Sequence, residues 1–445
     1  MPKFDQQKEI FNLDDDFHGS GPVIFAWQPD YNFLATCGVN RIVHVLDRQG
    51  KKVSEMMLQN PGPCVELDWD KDGETLGILQ EGLPHVTVWN IHSKHYTEIE
   101  VSSGRDRATF IKWARTHSVL AIGTEKGAIV FYNKKTQRKI PVVGKHSKKV
   151  ITGDWNNEGH LVTGGEDKML SVSNTVGDAI VQTTNVKTEL RQLRWAKQKT
   201  DDRGNAQNTV STILENKKVL MFDVSNPLQP LELSFQLKYG RIVSYAWYGD
   251  GYMIIGFSEG WVAVISTHID EISGELHSNK AFNSSLDTLC CCDVLTKVAV
   301  AGEKTIKFYS TSTWQEFRAD RIDLPRESGR VTRMAWTSDG QILSVATTNG
   351  SVYGFLMVVP NLNASFGNYC AMLTSLSEVS IIDTMKNNEV VQRINLDIEP
   401  GMLALGEYHL SVAMNTVVYH YRWKDENGTA NYEGGQTVSK RDYFG

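Results

Sequence analysis

The stretch GKHSKKVITGDWNNEGHLVTGGEDKMLSVSN, Gly144 to Asn174, sets the terms on which the rest of the chain is read. Three short runs rich in β-branched and apolar residues, VITGDW, HLVTGG and KMLSVSN, are separated by NNEG and GED. Asn, Asp and Gly suit tight turns, because the short polar side chains bond their own backbone and glycine accepts positive φ. Period-two alternation between such turns predicts three strands in succession.

The tryptophan that ends the first run recurs. FAW ends at Trp27, LDW at Trp69, IKW at Trp113, GDW at Trp155, LRW at Trp195, YAW at Trp247 and MAW at Trp336. The steps are 42, 44, 42, 40, 52 and 89 residues. The last step is two periods, and LCCCDV (289–294) places Cys291 about midway. The 52-residue step carries a polar insert, QKTDDRGNAQN (198–208), which reads as a long surface loop. Behind the tryptophans stand WDKDG, WYGDG and WTSDG, with WNNEG a close variant. The Asp70, Asp72 and Glu74 of LDWDKDGE therefore read as part of a recurring β-turn, at Asp72–Gly73, Asp250–Gly251 and Asp339–Gly340. A calcium-loop reading fails, since that loop needs its glycine at the sixth position and DKDGE has it fourth.

A period of 40–45 residues with three or four strands per repeat predicts an all-β chain, a β-propeller of WD repeats. Seven strand triplets run from Val23 to Thr311. KEIFNL (8–13) has no triplet of its own and suits a strand that closes the seventh blade, since an open propeller would leave unpaired edges. Three further units follow, over 331–358, 368–384 and 401–423. The expected organisation is a seven-bladed propeller over 1–315, closed by the N-terminal strand, then about three blades of a second, incomplete propeller over 316–445. A single irregular ring of eight or nine blades is the alternative. VSKRDYFG at the C-terminus reads as another strand, so the chain is expected to be part of a longer protein.

Composition narrows the function. The net charge is −6, which gives no bulk support for nucleic-acid binding. The N-terminus lacks the apolar segment of a secretory signal, and no apolar run approaches the ~18 residues that span a bilayer. Six cysteines are few for 445 residues and fit a reducing compartment. No phosphate-binding glycine loop, zinc-protease helix or nucleophile elbow is present, so no enzyme, no catalytic residue and no cofactor is expected. The run Cys290, Cys291, Cys292 is not read as a metal site. Neighbours on a strand face opposite sides and cannot close one tetrahedral shell.

Two groups of residues stand out. His146 and Asp167 match the histidine and aspartate that brace the blade of a WD repeat, a structural network rather than a catalytic dyad. Lys134, Lys135, Arg138, Lys139, Lys145, Lys148 and Lys149 form a run without an acid, in the outer strand and connection between blades three and four. Such a patch suits anionic lipid headgroups or an acidic protein partner, or serves as a solvated edge that resists strand pairing. The repeated tryptophans read as core between blades. Trp261 and Trp314 lie outside that register and are expected at the surface, as interface anchors.

FAWQPDYNFLAT, LDWDKDG, RKIPVVGKHSKKVITGDWN, GGEDKMLSVSN, WYGDGYMIIGFSEG, VISTH and YHLSVAMN together resemble the N-terminal region of the WD repeat-containing protein 19 family, the intraflagellar transport protein 144 homologues. The resemblance covers nearly the whole chain. It implies two propellers and a helical solenoid, of which the solenoid and most of the second propeller are absent here. It also implies a non-enzymatic scaffold subunit of intraflagellar transport complex A, acting in retrograde ciliary transport, cilium assembly and ciliary entry of membrane proteins. The implied partners are the other subunits of that complex and ciliary membrane-protein cargo or its adaptors; the basic run adds an anionic membrane surface as a candidate, and the net charge leaves nucleic acid out. The implied location is the cilium and its basal body, on the cytoplasmic side and associated with the cytoskeleton. A vesicle-coat-type double-propeller subunit is the alternative.

Overall fold

The ten repeat units become ten four-stranded antiparallel sheets in the computed structural model. The structure describes residues 8–101, 106–186, 188, 190–201, 204–205, 208–268, 271, 274–425 and 437–442. The chain divides into two compact units, Met1–Phe355 and Leu356–Gly445.

In the first unit eight sheets are arranged as blades around a channel. Their innermost strands are Ile24–Trp27, Cys64–Trp69, Ala108–Trp113, Val150–Trp155, Leu190–Trp195, Ile242–Tyr248, Leu286–Cys292 and Val331–Trp336. The second strands, such as Thr75–Gln80 and Val119–Thr124, are buried along their whole length and are almost purely apolar or small. Outer strands such as Lys52–Met57 and Tyr96–Glu100 face solvent on one side and alternate accordingly. Apolar clusters lie between neighbouring blades. Leu67, Trp69, Ile78 and Trp89 of blade two, for instance, pack on Ala35, Val43 and Val45 of blade one.

Cys291 pairs with Val298 in the register in which Trp69 pairs with Leu76 and Trp336 with Leu343, so it occupies the tryptophan position of the seventh repeat. The insert of blade five is not simply a loop. Thr200–Asp201 and Gly204–Asn205 form a small hairpin, and Asp250 of blade six accepts from Thr200 N–H at 2.8 Å. Residues 202, 203, 206 and 207 of that insert lie outside the described residues.

The expected division into seven and three blades is displaced by one unit. Lys8–Leu13 joins Val352–Leu356 of the eighth sheet, not the seventh. The seventh sheet has a fourth strand of its own, Ile322–Asp323, paired to Ile306 and Thr305. At two residues it is too short to show as a period in the sequence. The eighth sheet has three strands before Pro360 and takes its fourth from the N-terminus. The boundary therefore falls at 355/356 rather than 315/316, and two sheets, not three, follow it.

The seam that results is well packed. Phe11 lies among Val23, Phe25, Leu34 and Leu46 of blade one and Ala346 and Val352 of blade eight. A Cβ on Gly354 would stand 2.2 Å from the Phe11 ring, so glycine is required there for the closing strand to dock. Trp27 Nε1–H donates to Ser344 Oγ at 3.1 Å, and Arg48 bonds Asp339 at 2.9 Å across the same junction.

The second unit holds two sheets, Asn363–Asn395 and Met402–Asp442 in extent. Val379, Ile381, Leu410, Val412, Tyr421 and Trp423 form its core. The C-terminal strand expected from VSKRDYFG is Thr437–Asp442.

Phe11→Ala empties the seam of a large buried ring. The expected cost is about 3–5 kcal/mol, read as a lower urea midpoint for the first unit.

Candidate functional site

The carboxylates of LDWDKDGE serve the turn. Gly73 has φ 67°, and its N–H reaches Asp70 O at 3.0 Å. Asp70 rather than Asp72 holds the loop. Its fully buried side chain accepts from Glu74 N–H and Thr75 N–H, each at 2.9 Å. In blade eight Thr337 repeats the role, its Oγ1 accepting from Ile342 N–H at 3.0 Å, while Asp339 accepts from Gln341 N–H at 2.9 Å and Asp250 of blade six is turned to the blade-five insert.

His146 and Asp167 are in contact. Nδ1 lies 3.1 Å from Asp167 Oδ1, and Nε2 lies 2.9 Å from Thr163 Oγ1. Asp167 also accepts from Ser147 N–H at 2.8 Å and Met169 N–H at 3.1 Å. The imidazole is fully buried, and burial holds it below its ordinary value against the pull of Asp167. Burial alone would push the Asp167 carboxyl up, but the Ser147 N–H and His146 bonds hold it below the usual range. This network pins the incoming loop to the blade.

Other blades meet the same need with residues that no motif reveals. In blade one His18 Nε2 bonds Thr36 Oγ1 at 2.9 Å, and Asn40 stands where Asp167 does, accepting from Ile42 N–H at 3.1 Å. In blade three Asp106 accepts from Lys126 N–H at 3.1 Å. In blade seven Glu303 accepts from Asn283 and Ser284 N–H at 2.9 and 2.8 Å.

The seven cations of 134–149 are not brought together. Lys134 and Lys135 stand in the turn before the outer strand Arg138–Val142, with Arg138 and Lys139 at its start. Lys145, Lys148 and Lys149 follow its other end, and five extended residues span about 16 Å. Lys134 is already engaged. Its ammonium bonds the buried Asp70 at 2.5 Å and Glu74 at 3.2 Å. Lys139 donates to Glu100 O at 3.1 Å. Lys148 is exposed, with Lys145 and Lys149 half-buried beside it.

The channel encloses about 1230 Å³ and is lined by the inner strands of all eight blades. Three of its carboxylates are bound to the next blade, and Glu66 of blade two pairs with Arg333 of blade eight at 3.3 Å. Asp68 accepts from Trp113 N–H at 2.6 Å and pairs with Lys112 at 2.8 Å. Asp154 accepts from Trp195 N–H at 3.1 Å and pairs with Arg115 at 3.0 Å. Asp287 accepts from Val331 N–H at 3.2 Å and from Arg330 Nε–H at 2.8 Å. These bonds stitch neighbouring blades together. Cys290 and Cys291 line the channel half-buried, while Cys292 is buried. Burial pushes all three thiols up, Cys291 to about 12, so they stand as protonated strand residues. Among the described residues no group of three or more His, Cys, Asp or Glu side chains is gathered in the manner of a metal site.

Trp261 and Trp314 are half-buried rather than exposed. Trp261 packs on Tyr239 under the Lys238 ammonium, and Trp314 stacks on His277 and meets Tyr248. Trp314 joins the cluster between blades six and seven, where Cys291 is smaller than the tryptophan of other repeats.

Lys134→Met leaves Asp70 buried without its cation, and the expected loss is about 3 kcal/mol. Adding Asp70→Asn recovers part of it, which a double-mutant cycle in urea would read. His18 gives a pH dependence. Burial lowers it from 6.5 to about 4, although Gly350 O of blade eight accepts from the ring. Between those values the unfolded chain binds the proton and the folded one does not. Stability therefore rises with pH across that window, by up to about 3 kcal/mol, and is flat above it. His18→Gln is expected to flatten the slope.

The geometry is that of a propeller, and the relatives agree. The model of the WDR19 first beta-propeller matches residues 23–350, and that of the WDR19 second beta-propeller matches 370–445. WD repeat-containing protein 19 of Mus musculus is 38% identical over 416 residues, 93% of this chain and 31% of that protein. The Homo sapiens protein of the same name gives the same figures. WD repeat-containing protein dyf-2 of Caenorhabditis elegans is 29% identical over 91% of this chain and 29% of its own. The chain thus spans about a third of the length of the curated relatives it matches. Among solved structures, Saccharomyces cerevisiae Sqt1 aligns with a TM-score of 0.62 at 14% identity, over 80% of this chain and 100% of that one. The designed Ika8 protein aligns at 0.61 and 16%, over 76% and 97%. These two speak for the fold alone. The match to both propeller models, in order and over most of its length, shows that this chain belongs to the WD repeat-containing protein 19 family.

Proposed function

We propose that this chain is a non-enzymatic scaffold of intraflagellar transport complex A. It works in retrograde ciliary transport, in cilium assembly and in the entry of membrane proteins into the cilium. The observation that carries the reading is its likeness, across both propeller units, to the WD repeat-containing protein 19 relatives. The interior supports the scaffold part: the channel aspartates Asp68, Asp154 and Asp287 hold neighbouring blades. What remains for partners is the loops at the blade ends and the outer rim. The other subunits of the complex, and membrane-protein cargo or its adaptors, are the partners this reading assigns. The cilium and its basal body, on the cytoplasmic side, are its place of action.

Tagged chain purified from ciliated cells is expected to bring down the other complex A subunits, identified by mass spectrometry. Recovery of vesicle-coat subunits in their place would transfer the chain to vesicle traffic.

A further inference from the structure

Charge is unevenly spread over the end of the first unit that carries the blade-to-blade loops and the turns between second and third strands. Over blades three to six these loops and turns, 106–107, 125–128, 143–149, 166–168, 190–191, 215–217, 236–241 and 258–260, hold ten cations and six acids. Two of the acids, Asp106 and Asp167, are turned inward as acceptors for backbone N–H. The corresponding loops of blades seven, eight, one and two reverse the balance. Residues 14–21, 38–41, 58–63, 81–84, 281–285, 302–304, 324–330 and 348–350 hold four cations and six acids. A protein of net charge −6 thus presents one basic sector.

The sector is continuous through the backbone. A Cβ on Gly127, in the turn of blade three, would stand 2.8 Å from Lys148 O of the loop into blade four, and Ile242 N–H of blade six bonds Asn216 O in the turn of blade five at 2.6 Å. Lys149 and Arg191 line one cleft. Only Lys145, Lys148 and Lys149 of the run 134–149 belong to it. Lys168 and Arg191 come from the turn of blade four and the start of blade five.

Two blade-to-blade loops of this sector also raise aliphatic tips. Val143, between blades three and four, is 84% exposed, and Leu237, between blades five and six, is 99% exposed. Each stands beside cations, Lys145 and Lys148 in the first loop and Lys238 and Arg241 in the second. A folded partner with acidic residues would account for the charge. It would not account for two aliphatic side chains that stand almost wholly exposed on separate loops, two blades apart. A lipid bilayer does, because its apolar interior admits isolated tips while anionic headgroups meet the lysines.

We infer that blades three to six present a membrane-docking face for anionic lipid, with Val143 and Leu237 entering the headgroup boundary. The inference takes up the membrane-traffic side of the proposed function but needs no other protein, so a test with lipid alone can fail while co-purification succeeds. The 445-residue chain is sedimented with vesicles of phosphatidylcholine, plain or with roughly 30 mol% phosphatidylserine, at roughly 0.1 M salt. Wild type is expected to pellet with the anionic vesicles and to be released as salt rises. Lys148→Glu with Lys149→Glu is expected to weaken partition at least about tenfold. Val143→Ser with Leu237→Ser is expected to weaken it by about tenfold, with the salt dependence kept. All these residues are at the surface, so thermal melting should match wild type. Equal pelleting with plain and anionic vesicles overturns the proposal. Serine variants that bind as wild type also overturn it, and reassign the basic sector to an acidic protein.

Discussion

Half the junctions of the first unit hang on one repeated bond, from the indole N–H of a blade to the inner strand of the blade before it, while Trp113 makes no such bond and Trp247 donates to Ser211 Oγ. Trp69 donates to Ala26 O at 3.0 Å, Trp155 to Lys112 O at 3.0 Å, Trp195 to Asp154 O at 2.9 Å and Trp336 to Cys290 O at 3.4 Å. Each accepting residue immediately precedes the tryptophan, or Cys291, of its own repeat. The blades are separate sheets, so no backbone ladder joins them. Indole bonds, apolar clusters and the Asp-to-N–H bonds do that work. At the closing junction Trp27 donates to Ser344 Oγ of blade eight.

The same junctions engage the inner-strand aspartates. An inner-strand carboxylate that accepts from the next blade's backbone cannot be released for proton transfer without opening the junction. Asp68 and Asp154 are also paired with Lys112 and Arg115, so the charge is compensated where water is scarce. The blade with no tryptophan shows how the step survives a substitution. At Cys291 the indole is missing, and Trp314 comes in from the end of the sheet to pack beside Tyr248. Its half-burial is the reason it does not stand as a free surface anchor.

Repeat number was legible because it depends on short-range pattern. Tryptophan spacing and turn chemistry located all ten sheets, including the one where Cys291 replaces tryptophan. The ring boundary was not legible, for a physical reason. A closing strand pairs through backbone groups, which every residue of KEIFNL carries alike, so its composition cannot name its partner. The decisive fact was the pair Ile322–Asp323, a strand too short to alternate visibly. The His146–Asp167 brace was legible from its spacing. Its counterparts, Asp106, Glu303 and the His18–Asn40 pair, were not, because different donors and acceptors satisfy the same loop.

The basic run shows the limit most sharply. Seven cations adjacent in sequence suggest one patch, but a strand carries its two ends apart, and the buried Asp70 claims Lys134. A surface at the end of a propeller is assembled from loops about forty residues apart. Its charge is therefore scattered through the sequence at the period of the repeat, where it looks like background. The same period that makes the fold easy to read hides the surface, since each blade contributes one or two residues and none forms a motif. The interior must keep its repeated bonds for the ring to close. The loops carry no such obligation, and that is where one propeller can differ from another in what it touches.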